Sequence, residues 1–120
     1  LDEISDIDYA VVEVSAHQLQ YVDVSFNISI LLNLFEEHLD HFGDYISYIN
    51  AKLNIFRFQK KGDFAIYNLD NNTVVKNVEK LNLNSTKVGI SCNNSKKGFK
   101  FDFDKEIKKD TTIYAKMEKV

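Results

Sequence analysis

The 120-residue sequence has no proline, one cysteine and only four glycines. The lone Cys92 cannot close an internal disulfide and has no companion at metal-ligand spacing, which suits a reducing compartment. Its plainest role is that of a small buried or half-buried side chain. Gly43, Gly62, Gly89 and Gly98 are isolated, and none precedes Lys-Ser/Thr in the pattern of a phosphate-binding loop. Any nucleotide cradle must lie elsewhere. Basic charge is also scarce: the net charge of −3 supplies no field for holding a phosphate backbone, so nucleic acid is not an expected partner. The longest apolar run, around 28–34, is broken by Ser29 and Asn33 and falls far short of the roughly 20 residues of a membrane span. No secretory apolar segment opens the chain, and neither a repeat nor a low-complexity linker divides it. The first residue is Leu1, which leads us to expect a piece of a longer protein; the missing proline has no explanation.

Hydrophobic residues at 44% and charged residues at 28% match ordinary globular usage. The length fits one compact domain. Residues 8–14, 28–34 and 63–69 are β-branched and apolar enough for buried strands, and they alternate with helical stretches. That order predicts an α/β fold: a partial, mostly parallel sheet with flanking helices. Tyr45, Ile46, Ile49, Leu53 and Phe56 mark one helical face, predicting a helix over 44–59 with Asp44 as N-cap and Lys60-Lys61-Gly62 as the stop. Val74, Val75, Val78 and Leu81 mark a second, shorter helix capped by Asn71 or Asn72. From Lys87 the period becomes two (Val88, Ile90; Phe99, Phe101, Phe103; Ile113, Ala115, Met117), predicting short antiparallel strands. Residues 93–98 read as a turn and 105–110 as a solvated charge run. The expected organisation is a single partial domain over 1–120, with 1–72 as its α/β part and 73–120 as a helix plus antiparallel strands.

In open α/β sheets ligands bind beyond the carboxyl ends of the strands. Glu13, His38 and Asp40 fall there, and an imidazole with carboxylates can bind a divalent cation. The same residues also suit a polar loop, and His17 and His41 are equally open. A serine nucleophile at Ser15 with His17 lacks the strained glycine-flanked elbow. Taken alone, Lys52 reads as an amine snorkelling from the margin of an apolar helix face.

Three ordered segments narrow these choices: Val11-Val12-Glu13-Val14-Ser15-Ala16-His17-Gln18-Leu19, Leu32-Asn33-Leu34-Phe35-Glu36-Glu37-His38-Leu39-Asp40-His41-Phe42-Gly43, and Tyr48-Ile49-Asn50-Ala51-Lys52-Leu53-Asn54-Ile55-Phe56. Together they resemble the central ATPase domain of the Mur ligases, and the first is most similar to the D-glutamate-adding branch. The match is good over 8–72, including Asn68-Leu69-Asp70. The resemblance implies a cytoplasmic enzyme of peptidoglycan precursor synthesis that phosphorylates a UDP-muramoyl carboxylate with ATP and lets the amine of D-glutamate displace phosphate. It further implies that Glu13 binds a magnesium ion shared with ATP, that His38 binds a second, and that Lys52 is a carbamylated lysine serving as an anionic oxygen ligand. Lys52 and His38 would then stand at the reaction, Ser15 and Gln18 near the muramoyl substrate, and Asn33 and Asp40 as residues that fix the loops.

This sequence departs from the family pattern at Glu37, where aspartate is usual, at Ala16, where a second serine is common, and at His41-Phe42. The glycine-rich loop and the flanking UDP-binding and amino-acid-binding domains are absent from it. The expectation is therefore an inactive fragment of an active parent, holding neither ATP nor magnesium tightly and prone to self-association through an open sheet edge. The rival readings are another Mur ligase, a folylpolyglutamate ligase relative, or a non-catalytic α/β binding domain.

Overall fold

The computed structural model describes residues 10–35 and 42–92 in full, and the backbone of 99–100 and 118–119. The order of elements is α1 (Ala16–Leu19), β1 (Ile28–Leu31), α2 (Tyr45–Arg57), β2 (Phe64–Asn68), α3 (Asn72–Glu79), β3 (Thr86–Ser91), β4 (Phe99–Lys100) and β5 (Glu118–Lys119). The strands form one sheet in that same order. β1, β2 and β3 run parallel, with Ile28 opposite Phe64 and Phe64 opposite Thr86. The architecture is α/β, as the alternation of strand and helix patterns predicts.

α2 begins where its sequence says it should. Asp44 accepts the Ser47 backbone N–H at 2.8 Å and the Ser47 hydroxyl at 2.8 Å, which satisfies an otherwise orphaned first-turn donor. These bonds to Ser47, the backbone one foremost, hold the Asp44 carboxyl below its ordinary value. Gly43, at φ +76°, supplies the left-handed turn that leads in. α3 is capped the same way, by Asn71 accepting the Val74 N–H at 3.0 Å. α2 buries Tyr48, Ile49, Leu53 and Phe56, and α3 buries Val74 and Val78. They close over Leu31, Ala65 and Tyr67 of the sheet in one cluster. Phe56, Val74 and Val78 are wholly enclosed.

The face of α2 is rotated from the expected one. Ile46 is 70% exposed, and Tyr48 takes the inward place. The Tyr48 ring meets Phe42, just ahead of the helix, so packing beyond the helix helps decide which flank turns in.

Three further expectations change. Residues 10–14 belong to no strand, and Val11 is 97% exposed; β-propensity makes a strand only where a ladder partner is present. Positions 8 and 9 lie outside the described residues. β3 pairs parallel with β2, not antiparallel: its connection runs through α3, which returns the chain to the same end of the sheet. β4 is also parallel to β3, and the described antiparallel pairing is confined to β4 with β5, two residues each. The turn at 93–98, the charge run at 105–110 and Phe101, Phe103, Ile113, Ala115 and Met117 lie outside the described residues. Lastly, Cys92 is exposed, because β3 ends at Ser91 and releases the chain from the sheet.

At the amino ends of the strands, buried polar groups tie the layers together. Gln59, 2% exposed, donates to Phe26 O at 3.0 Å, Phe64 O at 2.9 Å and Ser29 Oγ at 3.1 Å, and accepts from Ser85 Oγ at 2.8 Å. Ser29 donates in turn to Ile55 O of α2 at 2.9 Å. Asp63 accepts the Lys60 N–H at 2.7 Å, the Ser25 hydroxyl at 2.8 Å and the Asn27 amide at 3.3 Å. The Lys60 N–H, then the Ser25 hydroxyl, outweigh burial and hold its carboxyl below the ordinary range.

Candidate functional site

Beyond the carboxyl ends of β1, β2 and β3 the chain turns polar. Asn33 follows β1, Asn68-Leu69-Asp70-Asn71 closes β2, and Ser91-Cys92 closes β3. Asp70 joins two of these ends: it accepts the Ser91 hydroxyl at 2.7 Å and the Cys92 N–H at 2.8 Å. Asn68 accepts the Asp70 N–H at 2.9 Å. Asn71 donates to Asn33 at 3.5 Å, a long bond linking the β1 exit to the N-terminus of α3. Leu69 N–H donates to Ile90 O at 2.8 Å and folds the turn back over β3. Gly89 makes room for that turn, since a Cβ there would lie 2.7 Å from a Leu69 methyl.

A second cluster stands at the start of α2. The Tyr45 hydroxyl donates to Leu34 O at 3.4 Å, so this end of the helix adjoins the β1 exit. The Tyr45 and Tyr48 rings stack at 5.9 Å, Phe42 meets Tyr48 edge-on at 5.7 Å, and His17 of α1 lies 5.1 Å from Phe42. Lys52 Nζ sits 5.4 Å from the Tyr48 ring centre, within cation–π range. Asn54 of α2 donates to Leu19 O at 2.9 Å. Segments some 35 residues apart, 15–19 and 48–54, are thereby held side by side.

Residues 2–118 match the protein family described as the Mur ligase middle domain. The chain belongs to that family. Among curated relatives, the UDP-N-acetylmuramoylalanine--D-glutamate ligase of Oceanobacillus iheyensis is 49% identical over 65 residues, which are 53% of this chain and 14% of the relative. The enzymes of the same name from Natranaerobius thermophilus and Clostridium perfringens are 43% identical over 72 residues and 38% over 80. Those stretches cover 59% and 67% of this chain, but only 16% and 17% of the relatives. The chain thus matches less than a fifth of the length of each of these ligases.

Within this Mur ligase middle domain the expected site residues fall into three groups. Ser15 and Gln18 are together, but chiefly with each other: Ser15 N–H donates to Gln18 Oε1 at 2.9 Å and Gln18 N–H to Ser15 Oγ at 3.2 Å. They form the capping box of α1. The Ser-x-x-Gln spacing carries that signal, and reading 8–14 as a strand hid it. Lys52 and Asn33 are placed by Tyr48 and Asn71 as described, while Glu13 is exposed in the chain leading to α1. His38 and Asp40, with Glu36, Glu37 and His41, lie outside the described residues. Among the described residues no three His, Cys, Asp or Glu side chains converge as a metal cage. Glu13 alone still suits magnesium, which keeps most of its waters and takes one or two carboxylates beside phosphate oxygens. Asp70 and Tyr48 were not anticipated as organising residues. The signal for Asp70 was an acid just past a strand end; for Tyr48 it was the helical spacing from Tyr45 and Lys52, while its contact with Phe42 belongs to packing ahead of the helix.

Among the described residues no helix is long and apolar enough to cross a membrane.

Proposed function

We propose that this chain is part of the middle domain of a cytoplasmic ligase that adds D-glutamate to a UDP-muramoyl-L-alanine substrate in peptidoglycan synthesis. The observation that supports this most is the joining of the Ser15–Leu19 motif to the Lys52 helix through His17, Phe42 and Tyr48, beside the strand exits. In the proposed reaction ATP phosphorylates the muramoyl carboxylate, and the amine of D-glutamate attacks the acyl phosphate and expels phosphate. Catalysis of that kind rests on positioning and charge neutralisation.

Glu13, His38 and a carbamylated Lys52 would hold magnesium, whose chemistry is to neutralise phosphate charge. Lys52 as a free ammonium is a cation resting on a ring; carbon dioxide on the amine would turn it into an anionic oxygen donor at the same place. The Tyr48 ring lies beside the Nζ of that side chain, and the α1 cap orients Ser15 and Gln18. Asn33 and Asp40 would steady the loop between them. The 120 residues alone are proposed to be inactive, since no phosphate-binding loop is among them.

The test is made in the full-length protein containing this chain, assayed for ATP-dependent coupling of D-glutamate. Lys52→Ala and Glu13→Ala should each lower turnover by at least about a hundredfold. Carbon-13 bicarbonate should give a carbamate resonance that Lys52→Ala removes. Full activity of both variants would reject the assignment, and transfer of a different amino acid would redirect it to another Mur ligase.

A further inference from the structure

α1 is a single turn, Ala16–Leu19, and a helix that short leaves its last carbonyls without partners of its own. Gln18 O accepts the Tyr21 N–H at 3.1 Å just beyond the turn. Leu19 O accepts instead from α2, taking the Asn54 side-chain amide at 2.9 Å. That amide is itself held. Arg57 donates to Asn54 Oδ1 at 2.9 Å and to Asn50 Oδ1 at 2.8 Å, and the three residues recur at i, i+4 and i+7 along one stripe of the helix. A guanidinium has no acceptor and a carbonyl has no donor, so only one orientation of the Asn54 amide satisfies both sides: oxygen toward Arg57, nitrogen toward Leu19.

The apolar contacts of α1 do not fix its place with the same precision. Ala16 and Leu19 are buried, but one turn offers only these two, and apolar attraction is non-directional. The bond to Leu19 O sets both the rotation of the turn and its height along α2. Ser15 and Gln18 must follow, because the capping box ties each to the turn through the backbone N–H of the other. The box uses only the acceptor oxygens of the two side chains, so the Ser15 hydroxyl proton and the Gln18 amide protons are not taken up by it.

We infer that Asn54, oriented by Arg57, is a positioning residue for the muramoyl side of the ligase site. It touches no reacting atom. Through Leu19 O it places α1, and with it the donors of Ser15 and Gln18, against the helix that carries Lys52. What α1 binds rests on the ligase reading above; that Asn54 places α1 does not.

The test uses the full-length protein containing this chain. Asn54→Asp keeps the size of the side chain and the acceptor for Arg57 but has no proton for Leu19 O. In hydrogen exchange the amides at 16–21 should exchange at least about tenfold faster in this variant, with those of β2 and β3 unchanged. In the coupling assay KM for the UDP-muramoyl substrate should rise about tenfold, while KM for ATP and kcat stay within about twofold. Arg57→Ala frees the Asn54 amide to turn and should move both readouts the same way by about threefold; it carries the test if Asn54→Asp does not fold. Exchange at 16–21 that the variants leave unaltered overturns the inference, and so does faster exchange with an unchanged muramoyl KM. A loss spread over kcat and every KM alike overturns it too, being the mark of general damage. A full-length protein without ligase activity rejects the proposed function instead, and the exchange comparison then decides whether Asn54 places α1.

Discussion

The two ends of the parallel sheet are both polar, but they are built differently. At the amino ends, Gln59, Ser29, Ser85 and Asp63 are buried and bond across elements that are far apart in sequence, tying α2, β1, β2 and the approach to β3 together. At the carboxyl ends, Asp70, Asn71 and Asn33 are more open; their bonds shape a turn and a cap and link the strand exits, Asp70 to Ser91 and Cys92 and Asn71 to Asn33. A buried amide with every partner in place resists change, because removing it strands several desolvated groups at once. An exposed turn residue leaves its partners to water. The first end holds the fold, and the second is free to be shaped by chemistry.

The largest expected effect is at the amino end. Gln59→Ala leaves Ser29, Ser85 and the Phe26 and Phe64 carbonyls without their shared partner, and should cost about 3 kcal/mol or more in urea denaturation. A cost below about 1 kcal/mol would mean that water replaces the amide freely and that the two ends are alike.

At the carboxyl end Asn71→Ala removes the α3 cap and the bond to Asn33, and should cost only about 1 kcal/mol. Thermal melts of the two variants side by side test the ranking directly; equal losses would break the comparison.

The smallest contrast is one of pH. Because Asp63 is held below its ordinary carboxyl value of 3.8, its contribution is complete above that value and is lost as pH falls through the lowered one. Wild type and Asp63→Asn should therefore differ in melting temperature near neutrality and converge in acid. Parallel curves across that range would assign the Asp63 bonds no electrostatic role.

An opposite limb exists at high pH. Burial first, then the Glu79 carboxylate bonded to its hydroxyl, pushes Tyr67 up to about 12. Stability that is complete below the ordinary tyrosine value of 10 is lost as pH rises through the raised one.

Much of the core was legible in local pattern. Asp44 and Asn71 announce their helices, and Val74 and Val78 recur at the helical period, because caps and amphipathic faces are made by residues close in sequence. Ile46 and Tyr48 show where that stops: two flanks of one helix are both apolar, and the core cluster that includes Phe42 chooses between them. The strand pattern of residues 10–14 failed for a related reason. Alternation states a willingness to pair, and the pairing itself belongs to the sheet.

The site divides in the same way. The three ordered motifs carried the family, and Asn68-Leu69-Asp70 lies at a strand exit where the pattern placed it. That Ser15 and Gln18 cap one another was written in their spacing and overlooked. Lys52 lies one helical turn from Tyr48, so that contact was legible in the spacing; that His17 reaches the same aromatic group through Phe42, distant in sequence, was not.

The sequence by itself determined the types of α2, α3, β1 and β2, the starts of those two helices and the family, because each rests on contacts between near neighbours or on ordered motifs. Tertiary structure alone decided that β3 runs parallel and that Gln59 and Asp63 bind the amino ends. Those outcomes depend on which distant segments meet, and no local pattern encodes a partner.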